Sequence, residues 1–143
     1  MILYLDTSAL VKLYVDEEGS ALVRAAVADA RVVGTCHVAY VELRAAMARR
    51  HREGAIEPGP YRRALRDVET DWQQIFLTVV SSQLVRDAGD VAERYRLRAY
   101  DALHLASCLT LQIKAREPVT FACWDKSLVD AASEAKLQTL AHD

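Results

Sequence analysis

Little in this sequence invites a structure built on staples, repeats or linkers. Cysteine occurs three times, at Cys36, Cys108 and Cys123, an odd count with no CxxC pair. That argues against a disulfide framework or a zinc site and leaves buried small thiols. Five glycines and three prolines in 143 residues leave no low-complexity or disordered stretch. There is no Gly-rich phosphate loop and no internal repeat. No run approaches the ~18 apolar residues of a membrane span. The opening Met1-Ile2-Leu3-Tyr4-Leu5-Asp6 meets a carboxylate before a secretory apolar core could form. The expectation is a soluble, cytoplasmic protein with no membrane association. A net charge of −2 also excludes a globally basic nucleic-acid binder.

What is present suits one compact domain over residues 1–143. The chain is 52% hydrophobic and 27% charged, and a fold of this length buries roughly 68–70% of its unfolded surface. Its charge is segregated. Arg44, Arg49, Arg50, Arg52, Arg62, Arg63 and Arg66 face only Glu53 and Glu57 in their stretch, a local net of +5 that leaves −7 elsewhere. Arg94, Arg96 and Arg98 form a second cluster. Such faces either attract a polyanion or are simply solvated helix surfaces.

Short apolar runs alternate with helical stretches. Strands are expected at 2–5, 32–35, 75–80 and 119–123, with a short fifth at 137–140. Helices are expected at 9–14, 21–29 behind an N-cap at Ser20, 38–53, 61–73 after a break at 57–60, from Ser81 or Ser82 to Tyr95, 101–114, and 125–135. Leu84, Val85, Ala88, Val91, Ala92 and Tyr95 make a helical stripe. The alternation predicts an α/β fold with a mostly parallel sheet of four or five strands and helices on both faces.

Four acids fall where such a fold builds its sites, outside the carboxyl ends of the strands. Asp6 follows the first strand, Glu42 lies early in the helix after the second, Asp101 opens a helix, and Asp125 follows the fourth strand. Asp101 has an apolar context, Ala99-Tyr100-Asp101-Ala102-Leu103-His104. The ordinary structural role for an Asp at a helix start is an N-cap. That role suits Asp125 and Asp101, suits Asp6 less, and suits Glu42 poorly. Four converging carboxylates raise one another's pKa unless a hard cation joins them. Mg²⁺, or Mn²⁺ in its place, has the right preference for oxygen. Thr7 and Ser8 stand beside Asp6 and can orient it or a bound water. His104, one turn after Asp101, suits packing or a hydrogen bond to an acid better than catalysis. His37 follows the second strand, as a helix-start residue or a visitor to the rim. Neither Ser8 nor Ser127 has a base partner for nucleophilic chemistry.

Four segments carry a resemblance: Tyr4-Leu5-Asp6-Thr7-Ser8-Ala9-Leu10-Val11, Tyr40-Val41-Glu42-Leu43, Leu97-Arg98-Ala99-Tyr100-Asp101-Ala102-Leu103-His104-Leu105-Ala106 and Phe121-Ala122-Cys123-Trp124-Asp125-Lys126-Ser127-Leu128. Together they resemble the PIN-domain nucleases, most closely the VapC toxins of bacterial toxin–antitoxin pairs. The resemblance implies an α/β/α sandwich and metal-dependent endonuclease action on RNA, with water as nucleophile and a 5′-phosphate product. It implies an acidic site of Asp6, Glu42, Asp101 and Asp125, with Ser8 as a supporting hydroxyl. It also implies a homodimer and a VapB-like antitoxin whose tail covers the site, with Leu13 and Tyr14 as contacts for that tail or as ordinary core.

The expected mechanism has Asp6, Asp101 and Asp125 on Mg²⁺, directly or through water. Glu42 binds the metal or positions the attacking water, and the arginines of 44–66 guide the RNA backbone. Two other classes also place acids at strand ends or helix starts. A magnesium phosphatase or phospho-acceptor domain wants Asp-x-Asp or paired acids at the first strand, where this chain has Asp6-Thr7-Ser8. A non-catalytic module binding RNA or protein would use the acids only as caps.

Overall fold

The computed structural model describes residues 1–142; Asp143 lies outside the described residues. The first strand, β1 (Ile2–Leu5), is buried at every position. Successive strand side chains point to opposite faces, so β1 feeds two cores. Leu3 and Leu5 pack with Leu10, Val23, Leu43 and Val68, while Ile2 and Tyr4 pack with Leu105, Phe121 and Leu128.

Around it the chain lays down α1 (Thr7–Leu10), continued by a 3₁₀ turn over Val11–Leu13, then α2 (Ser20–Asp29), β2 (Val32–Cys36), α3 (Ala39–Arg52) and α4 (Pro58–Trp72). There follow β3 (Phe76–Thr78), α5 (Ser82–Tyr95), α6 (Ala99–Ala115), β4 (Val119–Ala122), α7 (Lys126–Glu134) and β5 (Gln138–Thr139). The five strands run in the order β3-β2-β1-β4-β5. Every pairing is parallel, with Leu3 opposite Val33 on one side and Thr120 on the other. Helices α1–α4 supply the core on one face of the sheet, and α5–α7 supply it on the other. The expected three-layer α/β/α architecture with a parallel five-stranded sheet is what forms.

Strand order reverses at β1: β2 and β3 build outward on one side, β4 and β5 on the other. The carboxyl ends of β1 and β4 therefore flank a topological switch point, the usual place for a site in such sheets.

Several boundaries differ from the sequence expectation, each for a local reason. Ser20 is not the cap of α2. Gly19 holds that position at φ 91°, while Ser20 Oγ accepts from the Glu17 N–H at 3.0 Å and donates to the Val15 carbonyl at 2.9 Å. The Pro58-Gly59-Pro60 segment does not break the chain. It opens α4, because proline at the first helical position loses no hydrogen bond. β3 stops at Thr78, opposite the last residue of β2, leaving Val79 and Val80 exposed. Asp101 does not open its helix: α6 begins at Ala99, behind Arg98 as cap. All three cysteines are buried and free. No described helix is long and apolar enough to cross a membrane.

Candidate active site

The four acids come to the carboxyl edge of the sheet on four different elements. Asp6 leaves β1 and caps α1: its Oδ1 accepts from the Ala9 N–H at 3.0 Å and from the Ser8 hydroxyl at 2.7 Å. It is 5% exposed. The cap role that suited Asp6 less from sequence is thus one it does fill. Asp125 caps α7 through the Leu128 N–H at 3.1 Å and accepts from Ser127 Oγ at 2.6 Å. Those two bonds hold its carboxyl below the usual carboxylate range.

Asp101 is free of capping. Placed in the first turn of α6, it keeps both oxygens for other partners. Burial pushes its pKa up, and the Asp125 charge and then that of Asp6 push it further, against the pull of Arg98. Three carboxylates therefore stand close enough to act on one another. Arg98 is the local relief: its Nε lies 3.6 Å from Asp101 Oδ2 and its Nη2 lies 3.9 Å from Asp125 Oδ2.

Glu42, in the first turn of α3, is held by a polar chain of Thr7, His104 and Tyr4. His104 Nε2 donates to Glu42 Oε1 at 2.8 Å, and Thr7 Oγ1 donates to the same oxygen at 2.8 Å. The Tyr4 hydroxyl meets His104 Nδ1 at 2.9 Å. Burial raises the Glu42 pKa, but these bonds outweigh it and leave the carboxyl below its ordinary range. His104 is thus a hydrogen-bonding partner of an acid, though of Glu42 across 62 residues rather than of Asp101 one turn away. Thr7 orients Glu42 rather than Asp6; Ser8 is the hydroxyl on Asp6. Among the described residues Glu42 Oε2 carries no bond.

Sequence reasoning missed Tyr4, which reads as one more apolar strand residue, and Arg98, which reads as part of a solvated basic cluster. His37 is exposed, its N–H donating to the Thr78 carbonyl. Leu13 and Tyr14 line a groove with Val32, Val33 and Ile75 at the amino ends of β2 and β3, the opposite end of the sheet from the acids.

Among the described residues no three of His, Cys, Asp and Glu are closed on one point as a ready metal cage. The donor chemistry nevertheless fits a hard divalent ion. The oxygen donors on hand are carboxylates, and the repulsion that helps raise the Asp101 pKa is what a cation would relieve. Mg²⁺ keeps several waters and is usually bound by one or two carboxylates rather than by an all-protein cage.

The PIN domain family profile matches residues 3–116. This chain belongs to the PIN-domain family. Within it the chain groups with the VapC proteins. It is 33% identical over 141 residues to Ribonuclease VapC45 and to Ribonuclease VapC49, both from Mycobacterium tuberculosis, covering 99% of this chain and 90% of each relative. The fold matches that of FitAcB from Neisseria gonorrhoeae at a TM-score of 0.66 and 16% identity, over 99% of this chain and 97% of that one. It also matches VapBC-1 from nontypeable Haemophilus influenzae at 0.61 and 15%, over 97% and 96%. PIN membership sets aside the phosphatase and phospho-acceptor readings. The profile match takes in Asp6, Glu42 and Asp101; Asp125 lies beyond it, within the stretch shared with the VapC relatives.

Proposed function

We propose that this protein is a divalent-metal-dependent endoribonuclease acting as the toxin of a type II toxin–antitoxin pair, as a single PIN-like nuclease domain. The observation that carries the proposal is the gathering of Asp6, Glu42, Asp101 and Asp125 at the β1/β4 switch point of a chain 33% identical to two ribonucleases. Its working place is the cytoplasm, its functional form a homodimer, and its inhibitor a VapB-like antitoxin. The exposed Val85 and Tyr100 and the apolar groove past Gly89 and Leu103 on α5 and α6 support a self-association face.

Asp6 and Asp101 would hold Mg²⁺, or Mn²⁺ in its place, with Asp125 binding directly or through water. When bound, the cation lowers the pKa of water and neutralises charge on the phosphate in flight. Ser8 fixes the orientation of Asp6. Glu42, clamped through Oε1 by His104 and Thr7, presents Oε2 to the attacking water and takes its proton. Water adds to phosphorus and the P–O3′ bond breaks. A 5′-phosphate and a 3′-hydroxyl result, the latter protonated from solvent. Exposed arginines of α3 and α4 guide the RNA backbone.

Asparagine caps a helix as well as aspartate does, so Asp6→Asn keeps α1 and removes the charge. That variant should retain wild-type melting and lose RNA cleavage by at least ~100-fold, the loss typical of a transition-state electrostatic group. Excess EDTA should do the same to the wild type. Cleavage by Asp6→Asn at the wild-type rate, or full activity in EDTA, would contradict the proposal.

A further inference from the structure

Trp124 stands between β4 and Asp125, and its surroundings point to a ligand. Its backbone N–H donates to Ser8 Oγ at 2.9 Å, and Ser8 donates in turn to Asp6 at 2.7 Å. The backbone that carries the indole is therefore tied to Asp6 through one hydroxyl. The loop before α2 closes on the ring edge. A Cβ at Gly19 would stand 2.8 Å from Trp124 Cζ2, so only glycine lets that loop pass so near. The Lys12 ammonium lies 4.9 Å from the ring centroid.

A ring face of this indole is taken by His142. The two rings stack at 4.1 Å between centroids and 8° between planes, and His142 Nε2 donates to the Cys123 carbonyl at 2.8 Å. His142 itself is exposed. Together with Glu18, Gly19 and Leu22 the pair lines a cavity of about 420 Å³. A flat heteroaromatic ring, stacked on an indole with one in-plane N–H on a carbonyl, has the contacts a nucleobase would make there. Single-stranded RNA is commonly held this way, with unstacked bases lying on aromatic side chains. The acids supply charge chemistry at the phosphate but nothing to grip a base.

We propose that the face of Trp124 is a stacking subsite for a nucleobase of the RNA, with the Cys123 carbonyl as its edge acceptor, and that His142 occupies it until RNA enters. The proposal rests on the ribonuclease reading for the identity of the ligand. His142 and the base then compete for the same two contacts, so removing the imidazole strengthens RNA binding and removing the indole weakens it.

The test uses fluorescein-labelled hexa-adenylate RNA with the full chain in EDTA, so that nothing is cut, and reads Kd by anisotropy. His142→Ala should lower Kd severalfold. Trp124→Ala should raise it about tenfold, within the range for loss of one base–aromatic stack. Trp124→Phe, which keeps a ring and protects against misfolding, should fall between. In a Trp72→Phe background, where Trp124 is the only indole, unlabelled RNA should quench its fluorescence. An unchanged Kd in both His142→Ala and Trp124→Phe overturns the subsite, as does quenching by an antitoxin tail peptide but not by RNA. Cleavage of RNA in Mg²⁺ is scored separately. Cleavage without the binding pattern removes the subsite and leaves the nuclease. The binding pattern without cleavage keeps a base subsite and removes the nuclease.

Discussion

Asp101, proposed above as a metal ligand, shows what a crowded acid does to its own fold. Its pKa is raised by burial and by the charges of Asp125 and Asp6. The folded state therefore holds that proton more tightly than the unfolded chain does. Stability is lost as pH rises through the window between the two values. Glu42 and Asp125, whose pKa values are lowered, run the other way. Their contribution is complete above the unfolded carboxylate range and is lost as pH falls through the folded values. Asp101→Asn removes the repulsion without changing shape. It should melt ~1–3 °C above wild type near pH 7, with the gap closing near about pH 3, where both side chains are neutral. It should also be inactive. Thermal melts across pH check this, and a lower melting point at neutral pH would mean that Asp101 is stabilised by a partner stronger than its acidic neighbours. Asp6 is the opposite case, because it caps α1 as well as facing the site. Alanine there would cost about 1 kcal/mol of capping and confuse folding with chemistry, which is why asparagine is the informative change.

At the scale of elements, much of this molecule could be read ahead of its coordinates. The parallel strands, the helical stripe of α5 and the placing of Asp6 and Asp125 at strand ends follow from short apolar runs, helical periodicity and position, because strands covered on both faces read as continuous apolar runs. What escaped the sequence was decided by tertiary partners. Pro58 and Pro60 look like breakers until the packing of Ala64 and Val68 makes α4 worth starting at its first proline. Ser20 looks like a cap until the closely packed Gly19 takes that role. Tyr4 is apolar in pattern, and its hydroxyl finds His104 across 100 residues of chain. The junction of α5 and α6 carries a readable defect. Arg96 ends α5 in the left-handed region at φ 59°, where a side chain costs free energy that glycine avoids. Arg96→Gly should stabilise by ~0.5 kcal/mol, the gain being reduced by glycine's freer unfolded chain. A shift of the urea midpoint upward checks it. A downward shift would show that the Arg96 side chain contributes contacts beyond the turn.

Across the whole molecule, charge is divided between the acidic edge and the basic helices. Among the described residues Arg49 pairs with Glu53, Arg50 with Glu17 and Arg44 with Glu69. Arg52, Arg62, Arg63 and Arg66 make no such pair in that set, so the proposed guiding of RNA would fall mainly to them. Arg52 stands well away from Glu42, being ten residues along α3, about 15 Å at 1.5 Å per residue. At that distance Arg52 would meet the backbone flanking a scissile bond rather than the reacting phosphate. Replacing Arg62, Arg63 and Arg66 together by alanine should make the slope of log affinity against log salt about two units shallower. An unchanged slope would move the RNA track elsewhere. The convergence of acids from four elements on one hard cation is tested most directly by anomalous scattering from crystals grown with Mn²⁺. A manganese peak is expected within bonding distance of the Asp6 and Asp101 carboxylates, and none in crystals of Asp6→Asn. A peak elsewhere, or none at saturating Mn²⁺, would contradict it.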